Sequence, residues 1–209
     1  MTLNNSILCV AGTTHIDKFL LMQSYPEEDD SGQQVLESYQ SRGGNAGNNC
    51  SVLAQIFPND VIFLGAIAQD QYEFIRNDFD ANGVQMSKYC PVRPGSQGPE
   101  PIVILSKANG SRTVFFNAGN LNPLTLDEFI LAITKKKENT NFSWIYFEGR
   151  HNITEMLHYL QDCPNMNSRI SLEIESRNNI EIDSIIGLAD VVFIGPDHVN
   201  KCIAEIFIA

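Results

Sequence analysis

The feature that most constrains the fold of this chain is an alternation of two hydrophobic periods. Apolar runs at 7–12, 61–65, 144–148, 170–174 and 191–194 are each short and bounded by turn residues. Runs of that length without polar alternation predict strands buried on both faces. Between them lie segments with helical period. Ile153, Met156, Leu157 and Leu160 fall at i, i+3, i+4 and i+7, on one helical face. Asn152 with Glu155, and Thr125 with Glu128 ahead of Phe129, Ile130 and Ile133, have the spacing of a capping box. A further helix is predicted over 71–81, with Phe74, Ile75 and Phe79 inward and Gly83 as its left-handed stop. Strand, helix, strand, helix predicts an α/β fold: a mostly parallel sheet flanked by helices.

Two regions break the rhythm. Residues 34–40, and 101–106 with 113–116, have β character, the latter pair joined by Asn109-Gly110. They form either a small separate sheet that could act as a lid over the open end of the α/β domain, or an ordinary surface hairpin.

The 209 residues allow one principal domain. Lys plus Arg number 14 against 25 Asp plus Glu, a net charge of −11. That balance repels phosphate backbones and anionic membrane surfaces, and the Lys135-Lys136-Lys137 run is too short to offset it. Nucleic-acid and membrane partners are therefore not expected. Every apolar run is far below the about 20 residues needed to span a bilayer, and none has the flanks of a signal peptide. The five cysteines are scattered and odd in number, without a C-x-x-C pair, so a reduced, cytoplasmic protein is expected. The four histidines are dispersed as well, which predicts no metal cluster; His15 is expected to be a loop residue.

The most informative stretch is Arg42-Gly43-Gly44-Asn45-Ala46-Gly47-Asn48-Asn49, directly before a helix carrying Val52, Leu53 and Ile56. Paired glycines let backbone approach a ligand, and Asn45 and Asn48 share one face of a helical first turn, where their amides could bind adjacent hydroxyls. A glycine turn with an N-cap is the plain structural alternative. No phosphate loop is present, and the glycine spacing is not that of a dinucleotide fingerprint. Asp17, beyond the first strand and a Thr-rich turn, stands where α/β ligand sites form, or is a solvated loop aspartate. Arg112, beside the Asn109-Gly110 turn, could clamp a phosphate, or is an ordinary surface arginine of a hairpin.

Taken in order, these stretches resemble one family. They are Ile7-Leu8-Cys9-Val10 with Asp17 beyond it, Tyr25-Pro26 followed by Glu28-Asp29, Arg42-Gly43-Gly44-Asn45-Ala46 with Asn48, Gly110-Ser111-Arg112-Thr113, Phe147-Glu148-Gly149-Arg150, and Asp190-Val191-Val192-Phe193. The resemblance is to the ribokinase-like, or phosphofructokinase-B-type, sugar kinases, and within them to the ketohexokinases. It implies a domain over 1–209 with lid segments at about 18–41 and 96–118, and phosphorylation of a fructose-like ketose using ATP and Mg2+. It further implies pairing of two chains through the lid. Asp17, Gly44, Asn45 and Asn48 would hold the sugar. Arg112 would face the transferred phosphate, Glu148 and Arg150 would line the floor, and Glu173 or Glu175 would orient metal-bound water.

One departure stands against these agreements. The family's Gly-Ala-Gly-Asp segment, whose backbone forms an anion hole and whose aspartate is the general base, does not occur in the 209 residues. By resemblance, that base is expected beyond Ala209, and no catalytic residue is assigned within the sequence. The expectation is a C-terminally shortened kinase, without part of its sheet and inactive on its own. The alternative is a non-catalytic protein that binds a sugar or pairs with a related chain.

Overall fold

In a computed structural model of the chain, the described residues are 7–29, 31–134, 142–149, 152–163, 167–175, 182–196 and 198–199. Arg150, the 135–137 lysine run and the apolar segment from Cys202 to Ala209 lie outside them. Among the described residues twelve strands are formed: β1 (Ile7–Ala11), β2 (His15–Met22), β3 (Val35–Gly43), β4 (Val61–Leu64), β5 (Ile67–Ala68), β6 (Gln85–Met86), β7 (Val92–Arg93), β8 (Ile102–Ser106), β9 (Arg112–Phe115), β10 (Phe142–Glu148), β11 (Arg169–Ile174) and β12 (Val191–Ile194). The helices are α1 (Asn45–Ile56), α2 (Tyr72–Ala81), α3 (Leu126–Thr134), α4 (Ile153–Gln161) and the single turn α5 (Ile182–Ile185).

All five predicted strands belong to one parallel sheet of order β12-β11-β10-β1-β4-β6. Because residues alternate along a strand, β4 and β10 feed two cores. Phe63 and Tyr146 pack toward α1 and α2 with Cys50, Ile75 and Phe79. Leu64, Ile145 and Phe147 pack toward α3 and α4 with Phe129, Met156 and Leu157. Strand β1 lies between β4 and β10, so the chain leaves its carboxyl end and returns on both sides. Such a switch point opens a crevice at the strand ends, where ligands of α/β proteins are held.

The second sheet has order β3-β2-β8-β9 and carries the β-rich segments anticipated from the sequence. Only Gly110 takes positive φ in the β8–β9 turn, and Asn109 Oδ1 accepts a bond from the Ser111 N–H. Strand β2 was not expected. It places His15 and Asp17 on a strand instead of a loop, opposite Gly43 and Ser41 of β3.

Two local expectations are corrected. The Thr125–Glu128 box forms, with N–H bonds of 2.9 and 3.3 Å, but Asn152 caps nothing and its amide donates to the Leu124 carbonyl at 2.7 Å. Asn152 thus ties α4 to the approach of α3. Helix α1 buries Ala46, Gly47, Cys50 and Ala54, while Val52 and Ile56 are exposed. Small residues win the inward face because α1 sits tightly against the sheet and lid. Phe74, expected inward, is only half-buried, whereas Ile75 and Phe79 are fully enclosed.

Candidate functional site

The candidate site is assembled at the turn from β1 into β2. Gly12, Thr13 and Thr14 make that turn, and Glu148 at the end of β10 holds it from beneath. The Glu148 carboxylate, 1% exposed, accepts from the Thr13 N–H at 2.7 Å, from Thr13 Oγ1 at 2.9 Å, and from the Ala46 N–H at 3.4 Å. Its charge is matched by the amino-terminal end of α1, where unpaired N–H groups concentrate positive potential. Gly12 is required here, since an added Cβ would stand 2.6 Å from both Ala46 Cβ and Glu148 Oε2.

Gly44 supplies the bend into α1. Its φ of 88° suits glycine, and an added Cβ would lie 2.6 Å from the Thr13 carbonyl oxygen. Beside it, the Asp17 carboxylate presses on Gly43, and His15 Nε2 lies 3.1 Å from Asp17 Oδ1. Asn45 opens α1, half-buried, and its side chain makes no hydrogen bond among the described residues. The structure thus brings Asp17, Gly44 and Asn45 together at the junction of lid and sheet. Asn48 is exposed, and its Oδ1 accepts from Arg42 Nη1 at 3.2 Å, which leaves the amide N–H groups as its outward donors.

Arg42 is the post on which this corner stands. It is buried, pairs with Asp78, donates to Ser51 Oγ at 2.6 Å and lies 5.0 Å from the Phe79 ring centroid. Only its place ahead of the paired glycines marked it in the sequence. Asn49, Tyr146 and Glu173 were also missed as a unit: Tyr146 and Asn49 both donate to Glu173, and Asn49 Nδ2 lies 2.6 Å from the Tyr146 hydroxyl. Burial, then the charges of Glu175 and Glu148, push the Glu173 carboxyl above the ordinary carboxylate range. Burial and Glu173 likewise raise the Tyr146 hydroxyl, which stays protonated.

Arg112 is exposed on β9 in register with Leu105, itself opposite Leu21. Four residues and two strand spacings separate that level from Asp17, about 16 Å in an open sheet. Within one chain the lid therefore does not bring Arg112 onto Asp17. Glu175 follows β11 near Glu173, and Arg150 lies outside the described residues. So does Ala209. A cavity of about 100 Å³ touches Thr13 and Glu148, well below the about 300–1,000 Å³ of small-molecule pockets. An open groove of about 540 Å³ runs past Arg93, whose guanidinium is already held by Glu128 at 2.6 and 2.7 Å. Burial pushes the Cys90 thiol up to about 12, which removes it as a nucleophile.

The profile of the pfkB family carbohydrate kinases matches residues 7–194. The chain belongs to that family. Mouse ketohexokinase is 33% identical to this pfkB-family chain over 202 residues, 91% of the chain and 63% of the mouse protein. The chain therefore spans less than two thirds of that relative's length. Ribokinase from Giardia lamblia superposes with a TM-score of 0.74 at 11% identity, over 94% of this chain and 60% of that one. Ribokinase from Cryptococcus neoformans, solved in complex with ADP, superposes with a TM-score of 0.55 at 16% identity, over 80% and 49%. These likenesses show the ribokinase fold for the parallel sheet and its helices. Among the described residues no helix is long and apolar enough to cross a membrane.

The donors at this corner do not suit magnesium. No group of three or more His, Cys, Asp or Glu side chains among the described residues is arranged to hold a metal ion. Glu148 spends its oxygens on Thr13 and Ala46, and Glu173 accepts from Tyr146 and Asn49. The described residues do not fit a direct metal site.

Proposed function

We propose that this pfkB-family chain holds a ketose of the fructose type through Asp17, the Gly44 backbone, Asn45 and Asn48. The observation that carries the reading is the Asp17 carboxylate, fixed between His15 and Gly43 two residues ahead of Asn45, which opens α1. A carboxylate accepts from two hydroxyls and the amides donate or accept as needed, which is the polar pattern a polyol requires. In the family reaction the ketose hydroxyl receives the γ-phosphoryl group of Mg-ATP. Arg112, Glu148, Arg150, Glu173 and Glu175 enter that proposal through family resemblance, as groups near the phosphate and nucleotide. Without a Gly-Ala-Gly-Asp segment in the 209 residues, binding without turnover is expected.

Calorimetric titration with D-fructose beside an ATP-coupled assay tests this. Heat of binding with no product is the expected result, and absence of binding overturns it. Turnover would instead assign the chain a complete kinase centre. A non-catalytic sugar-binding role is the second reading, favoured by the full engagement of Glu148 and Glu173. As partner we propose a second copy of the chain across the lid, where Tyr39, Val114, Phe115 and Phe116 are exposed.

A further inference from the structure

We infer that His15 is a specificity-determining residue of the sugar site, accepting a hydrogen bond from one ketose hydroxyl at Nδ1. The inference rests on the placement of the sugar at Asp17 and adds to it a second acceptor.

His15 begins β2 and is 8% exposed. Its Nε2 lies 3.1 Å from Asp17 Oδ1, a contact to a carboxylate that an imidazole can make only as donor. In the neutral ring that assignment makes Nδ1 the acceptor. Nδ1 is buried, and no protein group among the described residues is within hydrogen-bonding reach of it. His15 and Asp17 are two residues apart on a strand, so they present to the same face of the lid sheet. None of the described groups around the ring takes that nitrogen. Gly43 lies opposite on β3, Arg42 is turned to Asp78, and Phe116 meets the ring edge-on with centroids 6.3 Å apart. Glu148 is bonded to Thr13.

A buried acceptor without a partner is costly, and a ligand hydroxyl placed there relieves the cost. Sites of this kind reject analogues that lack the matching hydroxyl far more strongly than apolar pockets distinguish shape. His15 therefore reads one hydroxyl while Asp17 takes its neighbours.

The test uses the full chain, calorimetry with D-fructose, and monodeoxy analogues of D-fructose each lacking one hydroxyl. One analogue should bind the unmodified chain at least tenfold more weakly than fructose. His15→Phe should shrink that ratio to within about twofold while the other ratios hold. His15→Gln, which keeps a donor toward Asp17 and places nothing at Nδ1, should do the same and serves if the Phe variant does not fold. Asp17→Asn separates the two levels. If it weakens fructose binding while both His15 variants leave every ratio unchanged, the inference falls and the sugar site stands. If it leaves fructose binding unchanged, or the unmodified chain binds no fructose, the site assignment falls and the inference with it.

Discussion

The Asp17 carboxylate rests against the Cα of Gly43, so closely that a methyl group on residue 43 would overlap it. Gly43 is thus chosen by the side chain facing it, since its φ is not in the left-handed region. Gly43→Ala should push Asp17 out of its position. Overpacking of this kind costs about 1–3 kcal/mol, and fructose affinity should fall at least tenfold in calorimetry. A folded Gly43→Ala protein with unchanged affinity would remove Asp17 from the sugar site.

Glu173 ties stability to pH. Its carboxyl is raised in the folded chain, so the folded state retains a proton that the unfolded state has released. Stability contributed by the protonated group is full below the ordinary carboxylate range, near about pH 4.3, and is lost as pH rises through the folded value. Glu173→Gln removes the charge and keeps an acceptor for Tyr146 and Asn49. Thermal unfolding should show the variant more stable than the parent at neutral pH, with the gap closing toward pH 4. A gap independent of pH would refute the account.

What was legible in the sequence follows from how far each signal reaches along the chain. The β12 run and the buried face of α4 are local periodicities, and both formed at the predicted positions. Strand β2 was not legible, because His15-Ile16-Asp17-Lys18 mixes polar and apolar residues and gains its order from pairing with both β3 and β8. The inward face of α1 is set by close packing, which selects its small residues over Val52 and Ile56. Asn49 meets Tyr146 and Glu173 across 97 and 124 residues. That meeting is set by sheet register, which a single sequence does not display. Asp17 and Asn45 stood out by their places after a strand and after paired glycines, and Gly44 by family resemblance; their shared corner needed the β2–β3 pairing to appear.

Arg42 should matter to stability before it matters to binding. Arg42→Met keeps much of the packing over Phe79 but leaves Asp78, Asn48 and Ser51 without their common partner. Since Asp78 keeps some access to water, the loss should be about 2–3 kcal/mol, read as a lower urea midpoint at unchanged slope. A midpoint within error of the parent would show that the Arg42 network adds nothing net.

The lid offers a test of association. Val114 and Phe115 are exposed on β9, and Phe116 beyond it is 61% exposed. If two chains pair there, sedimentation equilibrium should give a mass approaching twice that of one chain at high concentration, and Phe115→Asp should return it to one. A monomer at all concentrations would remove the lid as a pairing surface.

Glu148 joins the sheet, the lid and α1 through a single carboxylate, so its charge and its shape can be separated. Glu148→Gln is nearly isosteric but replaces one acceptor oxygen by an N–H donor, which then faces the donors of Thr13 or Ala46. Charge-assisted bonds are lost and a donor–donor clash is gained, which should cost about 1–3 kcal/mol. Because the strain falls on Gly12-Thr13-Thr14, the lead into β2, fructose affinity should drop as well. Glu148→Asp keeps the charge but shortens the reach, and should weaken sugar binding with a smaller loss of stability. Urea unfolding and calorimetry on both variants decide it: equal stability of parent and Gln variant would mean that the carboxylate charge contributes nothing to holding the corner.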